Sequence, residues 1–99
     1  MSEIVRLGDH TIVRPEHDLV ASVVPEFRKE VQSVLEEDPK ELVIDLGNVE
    51  MIDSVGLGVL IATHNSLGKI GGKLKVVNAS SNICGLFKTM RLDKHFSVS

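Results

Sequence analysis

The residues best placed for chemistry lie where an apolar stretch turns amphipathic, in "MIDSVGLGVLIATHNSLGKIGG", Met51 to Gly72. Asp53 is of a type that caps helices, and Ser54 would then stand in the first turn. Its hydroxyl would lie at the positive end of the helix dipole, among N–H groups with no acceptor inside the helix. Gly56 and Gly58 are poor helix formers, each costing up to about 1 kcal/mol relative to Ala. Two in one turn suggest that something comes close to that backbone. From the residues alone two readings stay open: a capped helix whose glycines allow tight packing on a sheet, or a helix that presents Ser54 outward. A nucleotide loop fits less well, since the third glycine and the lysine of a phosphate cradle are missing. A nucleophilic serine fits poorly too, because the residue two before Ser54 is Ile52 rather than Gly. His10, His17, His64 and His95 are scattered along the chain, so no acid–histidine assembly and no catalytic residue is expected. His64 falls on the apolar side of its helix and reads as a hydrogen-bonded, partly buried histidine.

The elements that must position this stretch follow from periodicity. "EIVRL" and "TIVRP" are β-branched runs joined by "GDH", an opening hairpin whose second strand ends at Pro15. Val24, Phe27, Val31, Val34 and Leu35 recur at helical spacing, with Pro25 in the first turn, where its missing N–H costs nothing. The run Glu36, Glu37, Asp38 closes that helix as a solvated end. "ELVIDL" is a nearly unbroken apolar run, which predicts a central strand buried on both faces. The second helix carries Leu57, Leu60, Ile61, His64 and Leu67, stops at Gly71 and Gly72, and leads into a strand at "KLKVVN" through a right-handed crossover. A third helix is capped by Ser80 or Ser81, with Ile83, Phe87 and Met90 on one face. A turn and a short strand finish the chain. The expectation is one α/β domain over residues 1–99, with a mixed sheet, an N-terminal hairpin and helices packed against it.

Composition narrows the function. Ninety-nine residues with 42% apolar content suit a single domain. The net charge of −3, from 11 basic and 14 acidic residues spread along the chain, offers no basic stripe for nucleic acid. With no Trp or Tyr and three Phe, stacking platforms for bases are absent as well. No segment reaches the roughly 20 apolar residues of a bilayer span, and no leader pattern opens the chain, so no membrane contact and a cytoplasmic location are expected. The lone Cys84 has no disulfide partner and no metal co-ligand nearby in sequence, and reads as a core thiol in a reducing compartment. No metal and no cofactor are expected.

At "VIDLGNVEMIDSVGLGVLI" the chain closely resembles the STAS domain family, and in particular the bacterial anti-sigma factor antagonists. The resemblance runs from the hairpin through "GGKLKVVNASSNICGLFKTMRLDKHF". Its signature is Asp45 at the end of the central strand, then Asp53-Ser54-x-Gly56-Leu57-Gly58 opening a helix, then a glycine pair before the next strand. It implies a STAS-type α/β sandwich in which Ser54 is phosphorylated by an anti-sigma factor that is an ATP-dependent serine kinase. The unphosphorylated antagonist captures that partner, and a metal-dependent phosphatase restores the serine. Carried onto this chain, the partner-binding residues are Asp18, Asp53, Ser54, Val55, Gly56, Leu57 and Gly58. The stretch "RPEHDLVAS" departs from the family's Gly-x-Leu-Asp turn, with Pro15 and His17 in place of Gly and Leu, while Asp18 still matches the aspartate near the phosphorylated serine. A non-phosphorylated STAS scaffold or sensor, or a small-ligand (nucleotide) binding domain, are the alternatives to this role.

Overall fold

The computed structural model describes residues 2–98. The hairpin forms from β1 (Ser2–Leu7) and β2 (His10–Pro15), paired antiparallel with Leu7 opposite His10. Gly8 takes φ 66° at the first position of the two-residue loop, as the tight primed turns require. After α1 (Val24–Leu35), β3 (Glu41–Asp45) pairs parallel to β2; after α2 (Ser54–Lys69), β4 (Lys73–Val77) pairs parallel to β3. A third helix, α3 (Ser81–Thr89), and a short 3-10 turn at Leu92–Lys94 lead to β5 (Ser97–Val98), parallel to β4. The five strands therefore lie in sequence order, β1-β2-β3-β4-β5.

That order decides where the helices go. Each parallel step moves the same way across the sheet, and right-handed crossovers then place every connecting helix on one face. Burial alternates accordingly: Thr11, Val13, Leu42, Ile44, Leu74 and Val76 are buried, whereas Ile12 and Val43 are only partly so and Lys73 and Lys75 are exposed. The central strand is thus covered on one face, not on both as its apolar run predicted. Val43 belongs to the open face, which it shares with the exposed Val5 and Leu7.

The helices match their patterns with informative exceptions. Val24, Phe27, Val31 and Val34 of α1 are buried, and its Pro25 sits in the first turn. Besides Leu57, Leu60 and Leu67, α2 buries Val59 and Thr63, because α1 packs along its flank as well as the sheet beneath it. The Thr63 hydroxyl donates to the Val59 carbonyl at 2.7 Å, so its burial leaves no unpaired polar atom. Gly71 (φ 77°) ends α2, and the Gly72 N–H returns to the Leu67 carbonyl at 2.7 Å in a Schellman-type closure. A Cβ at Gly72 would meet Pro39 O at 2.9 Å, so the pair both turns the chain and admits its neighbour. Ser80 is the cap of α3, accepting from the Ile83 N–H at 3.2 Å. Phe87 packs edge-on against Phe96 at 6.0 Å. Met90 lies past the last turn and is 47% exposed rather than on the packed face, and Cys84 is half-buried, its Sγ 3.6 Å from the Ala79 carbonyl, rather than a core thiol.

The one-sided sheet predicts an asymmetry in urea denaturation. Ile44→Ala, on the covered face, should lose about 2–5 kcal/mol. Leu7→Ala, on the open face, should stay within about 0.5 kcal/mol of wild type.

Candidate functional site

The start of α2 is held by two loops that exchange carboxylates. Residues 16–23 connect β2 to α1, and residues 46–53 connect β3 to α2. Asp18 reaches from the first loop to the second, where its Oδ1 accepts from the N–H groups of Glu50 (2.8 Å) and Met51 (3.2 Å). Asp53 reaches back, its Oδ2 accepting from the Ala21 N–H at 2.9 Å. Between these ties the two backbones pair like strands: the Leu19 N–H donates to Met51 O at 3.0 Å and the Asp53 N–H to Leu19 O at 3.2 Å. Leu19, fully buried, fills the seam.

Asp53 also caps α2, its Oδ1 accepting from the N–H groups of Val55 and Gly56, both at 3.0 Å. The Gly56 N–H, with those of Ala21 and Val55, outweighs desolvation and holds the Asp53 carboxyl below its usual range. This corrects one expectation. The N–H groups of the first turn do not all stand free for an anion at Ser54, because Asp53 already occupies two of them. Ser54 itself is exposed at the first helical position, between that cap and the half-exposed Val55.

The two glycines separate. A Cβ on Gly56 would lie 2.5 Å from the Leu19 carbonyl and 2.9 Å from Ile52 Cγ1, so what comes close to this backbone is the neighbouring loop of the same chain. At Gly58 an added Cβ would meet nothing within 4 Å, and the residue is exposed. Of the residues singled out in sequence, Ser54, Val55 and Gly58 are at the surface, Asp18 and Asp53 are tied into the loops, and Gly56 and Leu57 are buried. Met51, 62% exposed beside this group in sequence, joins the surface set although its apolar character alone had not marked it.

Asp45 makes a second clamp at the ends of the strands. Its Oδ1 accepts from the Gly47 N–H (2.9 Å) and Asn78 Nδ2 (3.0 Å), and its Oδ2 from Arg14 Nε (3.1 Å), while Arg14 Nη1 reaches Glu3 Oε1 at 2.9 Å. Burial pushes the Asp45 carboxyl up, but the bonds from Asn78, Gly47 and Arg14 together bring it below its ordinary value. Arg14 and Asn78 were missed in sequence; the available signal was Asn at a strand exit, where it adopts φ 58°. No group of three or more His, Cys, Asp or Glu side chains arranged for a metal occurs among the described residues. Nor is any described helix long and apolar enough to cross a membrane.

Comparison with known proteins bears on this geometry. The model of the STAS domain family matches residues 2–99. The anti-sigma-F factor antagonist RsfB of Mycobacterium tuberculosis is 34% identical over 82 residues, which cover 78% of this chain and 66% of that protein. The anti-sigma-B factor antagonist of Bacillus subtilis is 37% identical over 65 residues, 66% of this chain and 60% of that protein. This chain therefore spans somewhat less than two thirds of the length of these curated relatives. A crystal structure of an anti-sigma factor antagonist from Mycobacterium paratuberculosis superposes with a TM-score of 0.88 at 28% identity, covering 99% of this chain and 83% of that one.

Two measurements check the site's construction. Gly56→Ala should cost about 1–3 kcal/mol through the clash with Leu19, whereas Gly58→Ala should gain roughly 0.5–1 kcal/mol of helix stability. The second concerns pH. Asp53 is depressed below the 3.8 of an unperturbed Asp, so its contribution is complete above that value and is lost as pH falls through the lower folded value. Urea midpoints should accordingly fall with acidification below about pH 4 in the wild type. Asp53→Ala should start lower at neutral pH and decline less over the same window.

Proposed function

The chain belongs to the STAS domain family, and on that premise we propose that it is an anti-sigma factor antagonist in a phosphorylation-controlled partner switch, with Ser54 as phosphoacceptor. The observation that carries this reading is the exposed Ser54 hydroxyl on a helix start made rigid by two loops, with the apolar Met51 and Val55 exposed beside it. A kinase needs a reachable hydroxyl. A switch needs that hydroxyl inside a contact surface, and apolar neighbours supply one.

Phosphorylation adds about −1.5 to −2 charges at neutral pH. With the Val55 and Gly56 N–H groups already bonded to Asp53, the phosphate finds fewer free donors at the helix end and stands beside a carboxylate held below its usual range. The fold keeps its bonds while the surface gains an anion. A partner seated over Ser54 must then desolvate that charge, at a cost on the order of 2–5 kcal/mol, equivalent to tens-fold to thousands-fold in affinity. The unphosphorylated form binds the anti-sigma factor, a serine kinase; a metal-dependent phosphatase acting on phospho-Ser54 resets the switch. In this reading the protein works in the cytoplasm, catalyses nothing itself and needs no cofactor. Ser54, Val55, Gly58 and Met51 touch the partner, while Asp18, Asp53, Gly56 and Leu57 hold those residues in place.

Incubation with the cognate kinase and ATP should yield a single phosphate on Ser54 by mass spectrometry, and none on Ser54→Ala. Ser54→Ala should bind the partner like wild type, and Ser54→Asp at least about tenfold more weakly, roughly 1.4 kcal/mol. Equal binding by both would remove the switch. Gly58→Ala gives an independent reading: a variant more stable than wild type but weaker in binding would mark Gly58 as a point of close approach.

A further inference from the structure

A second cluster of polar side chains lies away from Ser54, at the other end of α2. β5 pairs only with Lys75 and Val76, so the edge of β4 at Lys73 and Leu74 has no strand beside it. The Lys73 N–H donates to Lys40 O on the β3 side. By strand alternation the N–H of Leu74 turns the opposite way, toward the place that β5 does not reach. There a cavity of about 450 Å³ opens, lined by Lys73, Lys75, His64, His95, Phe96 and Glu41 among others. This lies within the roughly 300–1,000 Å³ of small-molecule sites.

Its chemistry is that of an anion site on an acidic protein. The whole chain carries −3, yet two lysines from the open face of the sheet and two histidines, one of them on α2, line this one cavity at the edge of β4 against a single carboxylate, Glu41, whose Oε2 lies 3.7 Å from His10 Nδ1. Histidine offers an N–H donor in either protonation state. The His64 ring sits 5.7 Å from Phe96 and 6.1 Å from His95, both tilted, so the donors adjoin a wall of flat rings. His64 is ten residues beyond Ser54 on α2, roughly 15 Å along the helix, so the cavity is separate from the phosphoacceptor. We propose that this cavity binds a small organic oxyanion, a phosphate or carboxylate carried on a flat ring, with Lys73 and Lys75 holding the charged head and His64, His95 and Phe96 the ring.

Titration of isotope-labelled protein by NMR tests it, with phenyl phosphate, benzoate and inorganic phosphate as probes. Saturable shifts confined to His64, Lys73–Lys75 and His95–Ser97 are expected with phenyl phosphate or benzoate, and the stronger of the two identifies the head group. Inorganic phosphate should bind at least about fivefold more weakly than phenyl phosphate, because it forgoes the ring contacts. Lys73→Ala/Lys75→Ala, at two exposed positions, should retain the wild-type spectrum elsewhere and weaken binding at least about tenfold; Lys75→Glu should do the same through charge reversal. Shifts that stay linear in concentration for both ring-bearing probes, or that persist unchanged in these variants, would overturn the site. Equal binding of inorganic and phenyl phosphate would overturn the assignment of the ring wall.

Discussion

The approach of α2 to Leu19 is the constraint on which the site rests. A helix start ordinarily leaves several N–H groups in need of acceptors and a backbone free to fray. Here the Leu19 carbonyl comes so near Gly56 that no side chain fits between them. Asp18 and Asp53 cross the gap in opposite directions and use five N–H groups, those of Glu50, Met51, Ala21, Val55 and Gly56. These bonds join the two loops into one braced platform. Its outer surface carries Ser54, and its inner surface is the core through Leu19 and Leu57.

The topology supplies the other half of that arrangement. Because the strands run in sequence order with parallel steps, the connecting helices share one face, and the two loops emerge side by side at the carboxyl ends of β2 and β3. Asp45 secures the same end by binding Arg14 from β2 and Asn78 from beyond β4, so three strand ends are fixed relative to one another. The loops are thereby mounted on a rigid edge. Such a mounting suits the proposed switch, which would work by adding and removing charge rather than by rearranging the loops.

Asp53 has the most demanding place in this scheme. It caps the helix and ties the loops, and it keeps a negative charge beside the serine while occupying N–H groups that an added phosphate would otherwise use. Under the proposed switch, a neutral hydroxyl would be compatible with a covering partner, and a phosphate next to this carboxylate would not.

Much of this was legible in the residues themselves. Helical periods located the three helices, since burial of one face imposes that period directly, while β-branched runs, turn residues and an unbroken apolar run located the hairpin and the parallel strands. The Asp-Ser pair at the start of α2 and the resemblance carried by "DSVGLG" marked Ser54. What local pattern left undecided depended on which segments meet. The apolar run of β3 reads alike whether one face or both are covered, and only the order of the strands leaves Val43 half-open. Gly56 and Gly58 look equivalent in sequence, yet one faces Leu19 and the other solvent. Asp18 and Asp53 lie thirty-five positions apart, and nothing in their neighbourhoods says that each will bind the other's loop. Sequence by itself determined the elements, because those follow from side-chain type and spacing, and the family resemblance it carries singled out Ser54. Tertiary structure alone decided which glycine is obligatory, which N–H groups are already taken and which residues reach the surface, because these are distances between segments remote along the chain.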